Sequence, residues 1–285
     1  MRIDLKTGKL PTVTLPIRFL LTGIILLSTT LTSPAVAQDF RIETEVFQGD
    51  STEPISENLT LFSGNLILDF MLPTDRSRFP EEIVVYQSRE KQFVLLDTRR
   101  QTKAFVLEGD VLRIIAAMQS SNIGEDENDF LFHPTFDETY DPSSGLLSLE
   151  SEQLSYHVKG HRPDDDNVLP RYFEFISQFA RLNATDPRRM PPFARLKLNH
   201  SLKKFGFIPD EVELTLVPSL ESHTEQIRLK TKHNVIWQLS EKDHQRVASA
   251  KRYWMEFEEV TLSEYRTLQQ TAPALQQTND WSTNR

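Results

Sequence analysis

The segment EIVVYQSREKQFVLLDTRRQTKAFVL, residues 82–107, decides the fold. Its three apolar runs, Ile83 to Tyr86, Gln92 to Leu96 and Lys103 to Leu107, are separated by short links that contain Ser88 to Lys91 and Asp97 to Gln101. Short runs rich in β-branched and aromatic residues predict strands. Because links this short can only join antiparallel neighbours, the segment predicts an antiparallel meander.

Alternation of apolar and polar residues extends this meander in both directions along the chain. Before it lie two further alternating stretches, one from Phe40 to Val46 and a longer one that runs from Asn58 to Met71. After it, strands are expected at residues 145–149, 153–158, 212–216, 227–229 and 235–239. Period-two alternation is typical of strands that bury one face, so most of the chain is predicted to belong to one sheet.

Helical periodicity interrupts the strands at four places, where the expected helices begin at Asp110, Pro170, Pro192 and Ser240. A proline at the start of a helix and a Ser with an acidic residue three positions later are helix start signals. The predicted fold class is α+β: an antiparallel meander, which could curve into a half-barrel, covered on one side by three to four helices. We expect one domain over residues 38–268 and a disordered tail over residues 269–285, which are rich in Gln, Thr and Asn.

Residues 1–37 differ in composition from the rest of the chain. Basic residues precede an apolar run from Phe19 to Leu27, and the stretch ends in Ala35-Val36-Ala37 before the polar Gln38. This order is typical of a secretory signal peptide, and the apolar run is shorter than the roughly 20 residues that span a bilayer. We therefore expect cleavage after Ala37 and export to the periplasm or outside the cell, with a retained N-terminal anchor as the alternative.

Charge and cysteine content exclude several classes of protein. The chain carries 32 basic and 41 acidic residues, and without residues 1–37 it would carry 28 and 40. An acidic surface without a basic stripe argues against nucleic acid as a partner. With 0 cysteines, disulfides, thiolate metal sites and a cysteine nucleophile are excluded.

The strand pattern from Phe40 to Leu107 resembles that of the LolA-like family of periplasmic lipoprotein carriers and lipid-binding envelope proteins. The resemblance lies in the long strand Asn58 to Met71, followed by Glu82-Ile-Val-Val-Tyr86, Gln92-Phe-Val-Leu-Leu-Asp97 and Thr102-Lys-Ala-Phe-Val-Leu107. It implies a half-open barrel that holds acyl chains against internal helices. It supplies no catalytic residues, and its implied partner is a lipid or an acylated ligand.

Candidate site residues follow from that implied binding role. In a half-barrel the concave face is expected to be apolar, so the expected cavity lining is Leu66, Leu68, Phe70, Val94, Phe175 and Phe179. For the aromatic residues of the helix that begins at Pro170, ordinary core packing against the sheet is the favoured interpretation, and cavity lining is the alternative. No cofactor is predicted.

Metal-binding and catalytic motifs give little support to other functions. His157, His161 and Asp164 are weak metal-ligand candidates, because Gly160 and Pro163 would break any helix that brought both imidazoles to one face. The sequence contains no G-x-S-x-G, P-loop, G-x-G-x-x-G or H-E-x-x-H motif. The favoured function is a non-enzymatic, exported envelope protein that binds an apolar ligand. The alternatives are a hydrolase-like enzyme with an unrecognised site and a structural or interaction module.

Overall fold

A large open sheet dominates the fold. The computed structural model describes residues 38–72, 82–121, 129–218 and 226–270. Residues 1–37, with the predicted signal peptide, and most of the predicted tail lie outside the described residues. The strands are β1 (Phe40–Gln48), β2 (Ser56–Ser63), β3 (Leu66–Leu72), β4 (Glu82–Gln87), β5 (Gln92–Asp97), β6 (Thr102–Leu107), β7 (Asp137–Asp141), β8 (Leu146–Glu150), β9 (Leu154–His161), β10 (Ile208–Leu216), β11 (Ile227–Ile236) and β12 (Glu258–Glu259).

The strand order shows two antiparallel meanders joined side by side. It reads β12-β6-β5-β4-β3-β2-β1-β11-β10-β9-β8-β7, and all neighbours are antiparallel except β12, which runs parallel to β6. The pairing of β1 with β11, from Arg41↔Ile236 to Gln48↔Leu229, joins the two meanders. The predicted α+β class and antiparallel sheet are confirmed, and the sheet is not closed.

The long strand expected from Asn58 to Met71 is a hairpin of two strands. β2 ends at Ser63, Gly64 takes a φ of +55°, and β3 runs back along β2 with Ser63 opposite Leu66. Glycine adopts this left-handed conformation without the strain that a side chain would add. The interpretation as one strand was wrong because the apolar alternation resumes directly after the two-residue turn.

Six helices lie among the described residues: α1 (Glu108–Ser121), α2 (Asp129–Phe132), α3 (Leu169–Leu182), α4 (Phe193–Phe205), α5 (Glu241–Glu256) and α6 (Leu262–Gln270). The capping box of Ser240 and Asp243 at α5 and the left-handed Gly206 after α4 are present as expected. α1 begins two residues before the expected cap, Asp110, which instead pairs with Arg113 in the first turn.

Helices pack on both faces of the sheet. α1, α3 and α4 lie on one face, where their residues join a core cluster that includes Phe62, Tyr86 and Phe93. α5 contributes Val247 and Ala250 to a separate cluster on the opposite face of β2 to β5. The cover was expected on one side only, because the alternating strand pattern does not reveal that both faces of β2 to β5 are buried.

Candidate functional site

A cavity of about 490 Å³ lies between the sheet and helix α3. Its floor is made by five adjacent strands in the order β4, β3, β2, β1 and β11. With neighbouring strands about 4.8 Å apart, the floor measures roughly 19 Å from β4 to β11. The lining alternates strictly along each strand, as in Ile42, Thr44 and Val46 of β1, so all of these side chains lie on one face of the sheet.

Apolar side chains form the helical side of the cavity and part of its floor, whereas Ser56, Asn58 and Thr60 of the central strand β2 are polar. The strands and the β1–β2 link contribute Ile42, Val46, Ile55, Met71, Val84 and Leu229, and the helical side contributes Phe175, Ile176, Phe179, Ala180 and Leu182. Phe175 and Phe179 pack against each other with ring centroids 4.7 Å apart, and Phe175 also contacts Phe62 edge-on at 5.4 Å. An elongated apolar cavity of this volume lies within the range of about 300–1,000 Å³ typical of small-molecule sites.

The carboxylate of Asp69 lies in the floor of the cavity. It accepts hydrogen bonds from Thr60 Oγ1 at 2.7 Å and from Asn58 Nδ2 at 2.9 Å. Burial raises the pKa of Asp69 to about 6, and these two hydrogen bonds oppose the shift. Because both carboxylate oxygens accept hydrogen bonds from residues of β2, Asp69 connects β3 to β2 through polar contacts.

The β4 end of the cavity is a paired polar network. Arg266 of α6 contacts Glu82 at 3.4 Å and Asp186 at 4.0 Å, and Arg188 holds Asp186 at 2.7 Å. Burial alone would raise the pKa of Asp186, but the hydrogen bonds and charge of Arg188 outweigh that effect and lower it. Arg189, which also lines the cavity, lies 3.9 Å from Asp186. Each acidic group at this end therefore has a cationic partner.

The β11 end contains a histidine that is held neutral. His233 Nδ1 lies 3.0 Å from Thr44 Oγ1, and its Nε2 lies 3.3 Å from Thr231 Oγ1. Burial lowers the pKa of His233 to about 3, and the positive charge of Arg195 acts in the same direction. Both ring nitrogens face threonine hydroxyls, so the imidazole is a neutral hydrogen-bonding group at neutral pH.

The structure divides the six predicted lining residues between the two faces of the sheet. Phe175 and Phe179 border this cavity. Leu66, Leu68, Phe70 and Val94 lie instead in the cluster that packs against α5. For these four residues the expected lining is wrong, because the most uniformly apolar row of β3 fills a close-packed interface, whereas the cavity row carries polar side chains such as Asp69.

Sequence reasoning missed Asp69, His233 and Arg195. Asp69 is the lone carboxylate in the apolar run LILDFML, and this is the signal that could have identified the cavity-facing row. His233 and Arg195 stand among other polar residues of β11 and α4, where nothing in the local pattern distinguishes them from solvent-facing side chains.

The weak metal candidates are separated into single ion pairs. His157 Nε2 lies 2.6 Å from Glu150, and His161 Nδ1 lies 2.8 Å from Asp210. Asp164 is exposed in the segment after β9. Within the described residues no group of three or more His, Asp or Glu side chains is arranged to hold a metal ion.

Comparisons with known proteins found solved structures of low similarity only. No family model matches the chain, and no curated protein matches it. Among solved structures, a LolA superfamily protein from Nitrosomonas europaea is similar with a TM-score of 0.23 and 7% identity, over 74% of this chain and 90% of that one. The β subunit of a DNA polymerase from Streptococcus pyogenes gives a TM-score of 0.12 and 9% identity, over 75% of this chain and 61% of that one. No helix in the described part of the chain is long and apolar enough to cross a membrane.

Proposed function

We propose that this protein is an exported, non-enzymatic cell-envelope protein that binds a lipid or another apolar, chain-like ligand in the cavity beneath α3. The observation that carries the proposal is the cavity itself, about 490 Å³ in volume and lined by apolar side chains along its α3 side. An empty apolar cavity forfeits the packing contacts that a filled core would make. A ligand that enters it restores those contacts and removes apolar surface from water.

The arrangement of polar groups supports binding over catalysis. A general base needs a free lone pair directed at its substrate. Here both ring nitrogens of His233 face threonine hydroxyls, which leaves neither of them free, and Asp69 is held toward β2 by one hydrogen bond to each of its oxygens, from Thr60 and Asn58. These groups connect neighbouring strands, and the surface left for a ligand is mainly apolar.

Filling the cavity is the test of this proposal. Ala180 lies on α3 in the cavity lining and is 5% exposed, so Ala180→Phe should fill part of the space. We expect the wild-type chain to bind a fluorescent fatty acid saturably and Ala180→Phe to weaken binding about tenfold, or 1.4 kcal/mol. Overpacking costs about 1–3 kcal/mol, so thermal melting must show that the variant is folded, and Ala180→Leu is the milder version.

Ala117→Phe is the matched control, because Ala117 is exposed on α1 and does not line the cavity. Its affinity for the probe should equal that of the wild type. Absence of saturable binding to the wild type, or equal affinity of the folded Ala180 variants, would overturn the binding proposal. Export is tested separately by mass spectrometry of the protein from its host, where the expected N-terminus is Gln38.

A further inference from the structure

Arg195, in the first turn of α4, is a cation in the cavity wall that has no acidic partner among the described residues. It lines the cavity and is partly buried. No hydrogen bond or ion pair joins its side chain to another residue of the described ranges. A partly desolvated charge is unfavourable unless a group of opposite charge compensates it.

The other cationic groups of the cavity differ from Arg195 in this respect. Arg266 contacts Glu82 and Asp186, and Arg189 lies 3.9 Å from Asp186. All three acidic groups of the lining, Asp69, Glu82 and Asp186, belong to the side of the cavity near β3 and β4. The charge of Arg195 is therefore left uncompensated among the residues that the structure describes.

The surroundings of Arg195 at the β11 end suit an anion. Tyr172 lines the cavity there, and its hydroxyl makes no hydrogen bond to another described residue. Burial raises the pKa of Tyr172 and the charge of Arg195 opposes that rise, so the phenol keeps its proton and can donate it in a hydrogen bond. The N-terminal turn of α4, which has no side-chain cap, adds positive potential at the same place.

We infer that the ligand is an anionic amphiphile, whose carboxylate or phosphate head pairs with Arg195 and Tyr172 while its apolar chain lies along the cavity toward β4. A guanidinium presents donors in a planar fork that matches both carboxylate and phosphate oxygens. The inference rests on the proposed binding function and adds the chemical class of the ligand. It also orients the ligand. The anionic head is placed at the β11 end, because the cationic groups at the β4 end already have acidic partners.

Three ligands with the same chain test this inference on the full-length protein: dodecanoate, dodecyl phosphate and dodecanol, each measured by displacement of the fluorescent fatty acid. The wild type should bind at least one of the two anions about tenfold more tightly than the neutral alcohol, a difference of 1.4 kcal/mol. The comparison of dodecanoate with dodecyl phosphate distinguishes a fatty-acid carboxylate from a phosphate head as the natural source of the anion.

Substitution of Arg195 assigns the preference to this residue. Arg195→Gln should reduce the affinity for the preferred anion to that for dodecanol and leave the affinity for dodecanol within about twofold, because only the charged contact is removed. Arg195→Lys should retain part of the preference. Arg189→Gln is the matched control, since Arg189 lines the same cavity but lies beside Asp186, and it should retain the full preference.

Each outcome separates the ligand class from the binding function. If the wild type binds all three ligands equally, or if Arg195→Gln retains the preference, the anionic class is wrong and the apolar binding function stands. An equal loss in Arg189→Gln would mean that the general charge of the cavity, and not Arg195, selects the anion. If the wild type binds none of the ligands, both proposals fail. The wild-type comparison needs no variant, so it decides the ligand class even if Arg195→Gln does not fold.

Discussion

Aromatic side chains on this face of the sheet differ in how much packing the protein loses when they are removed. Phe175 is half-buried and borders the cavity, whereas Phe93 is 0% exposed and packs against Tyr86 with centroids 4.7 Å apart. Removing a ring that already borders empty space creates less new cavity than removing one that is fully enclosed. The loss in the free energy of unfolding after a Phe→Ala substitution should therefore distinguish a ring that borders the cavity from one that is fully enclosed.

We expect Phe175→Ala to lower the free energy of unfolding by about 1–2 kcal/mol and Phe93→Ala to lower it by about 3–5 kcal/mol. Urea denaturation of both variants measures the difference. Equal losses would mean that Phe175 is an ordinary core residue, and the aromatic residues of α3 would then be structural.

The carboxylate of Asp69 makes stability depend on pH in an unusual direction. Burial raises the pKa of Asp69 from 3.8 to about 6. The folded state therefore holds this proton more tightly than the unfolded state. The stabilisation that this proton gives is fully present below about pH 4 and is lost as the pH rises through 6.

Asp69→Asn removes this effect while keeping a polar group between Thr60 and Asn58. Relative to the wild type, the variant should gain about 2 kcal/mol more stability at pH 8 than at pH 3.5. Denaturant titrations at the two pH values measure the gain. Asp50→Asn, at a side chain that is 86% exposed, is the control and should change stability equally at both. A gain for Asp69→Asn that is larger at pH 3.5 would contradict the assigned shift.

At the level of elements, local patterns predicted the type of most strands and helices but not their faces. The short links in residues 82–107 determine the meander because the chain has no room for another connection. Pro170 and the capping box at Ser240 marked the starts of two helices to within one residue. Each of these signals depends only on residues that are neighbours in the sequence, so it can be recognised without knowledge of the fold.

The cavity could not be predicted in the same way, because it depends on which face of each strand meets which helix. In β3, Leu68 and Phe70 contact α5, while Asp69 and Met71 line the cavity beneath α3. Both rows are largely apolar, so alternation alone cannot assign them when both faces are covered. The position of Arg195 could not be predicted for a similar reason. It lines the cavity only because α4 packs beside floor strands that are far from it in the sequence.

At the level of the whole molecule, the sheet depends on contacts between residues far apart in the chain. β1 pairs with β11, and α6 contacts Glu82 of β4 through Tyr265 and Arg266. β12 covers the outer edge of β6 with bonds from Glu258 N to Gln101 O at 3.0 Å and from Val260 N to Lys103 O at 2.9 Å. Sheets built from such distant pairings form slowly, because long loops must close before the pairing stabilises them.

Two neighbouring glutamates test the role of β12 at this edge. Glu258 donates its backbone N–H to Gln101 O, directly before β6, whereas Glu259 N–H makes no such bond. Proline removes the backbone N–H, so Glu258→Pro should detach β12, while Glu259→Pro should leave the pairing largely intact. Light scattering at elevated temperature should show faster aggregation of Glu258→Pro, because a bare strand edge is a template for pairing with other chains. Equal scattering by the two variants would mean that β12 does not protect the edge.

The late position of β12 also has a consequence for the protein's biogenesis. β6 leaves the ribosome long before Glu258 is synthesised, and β1 likewise waits for β11. A nascent chain that folded its first meander early would carry two open strand edges through most of translation. Holdase chaperones that bind exposed strands would therefore be most valuable during synthesis of residues 108–257. A chain kept unfolded until its release would avoid that exposure entirely.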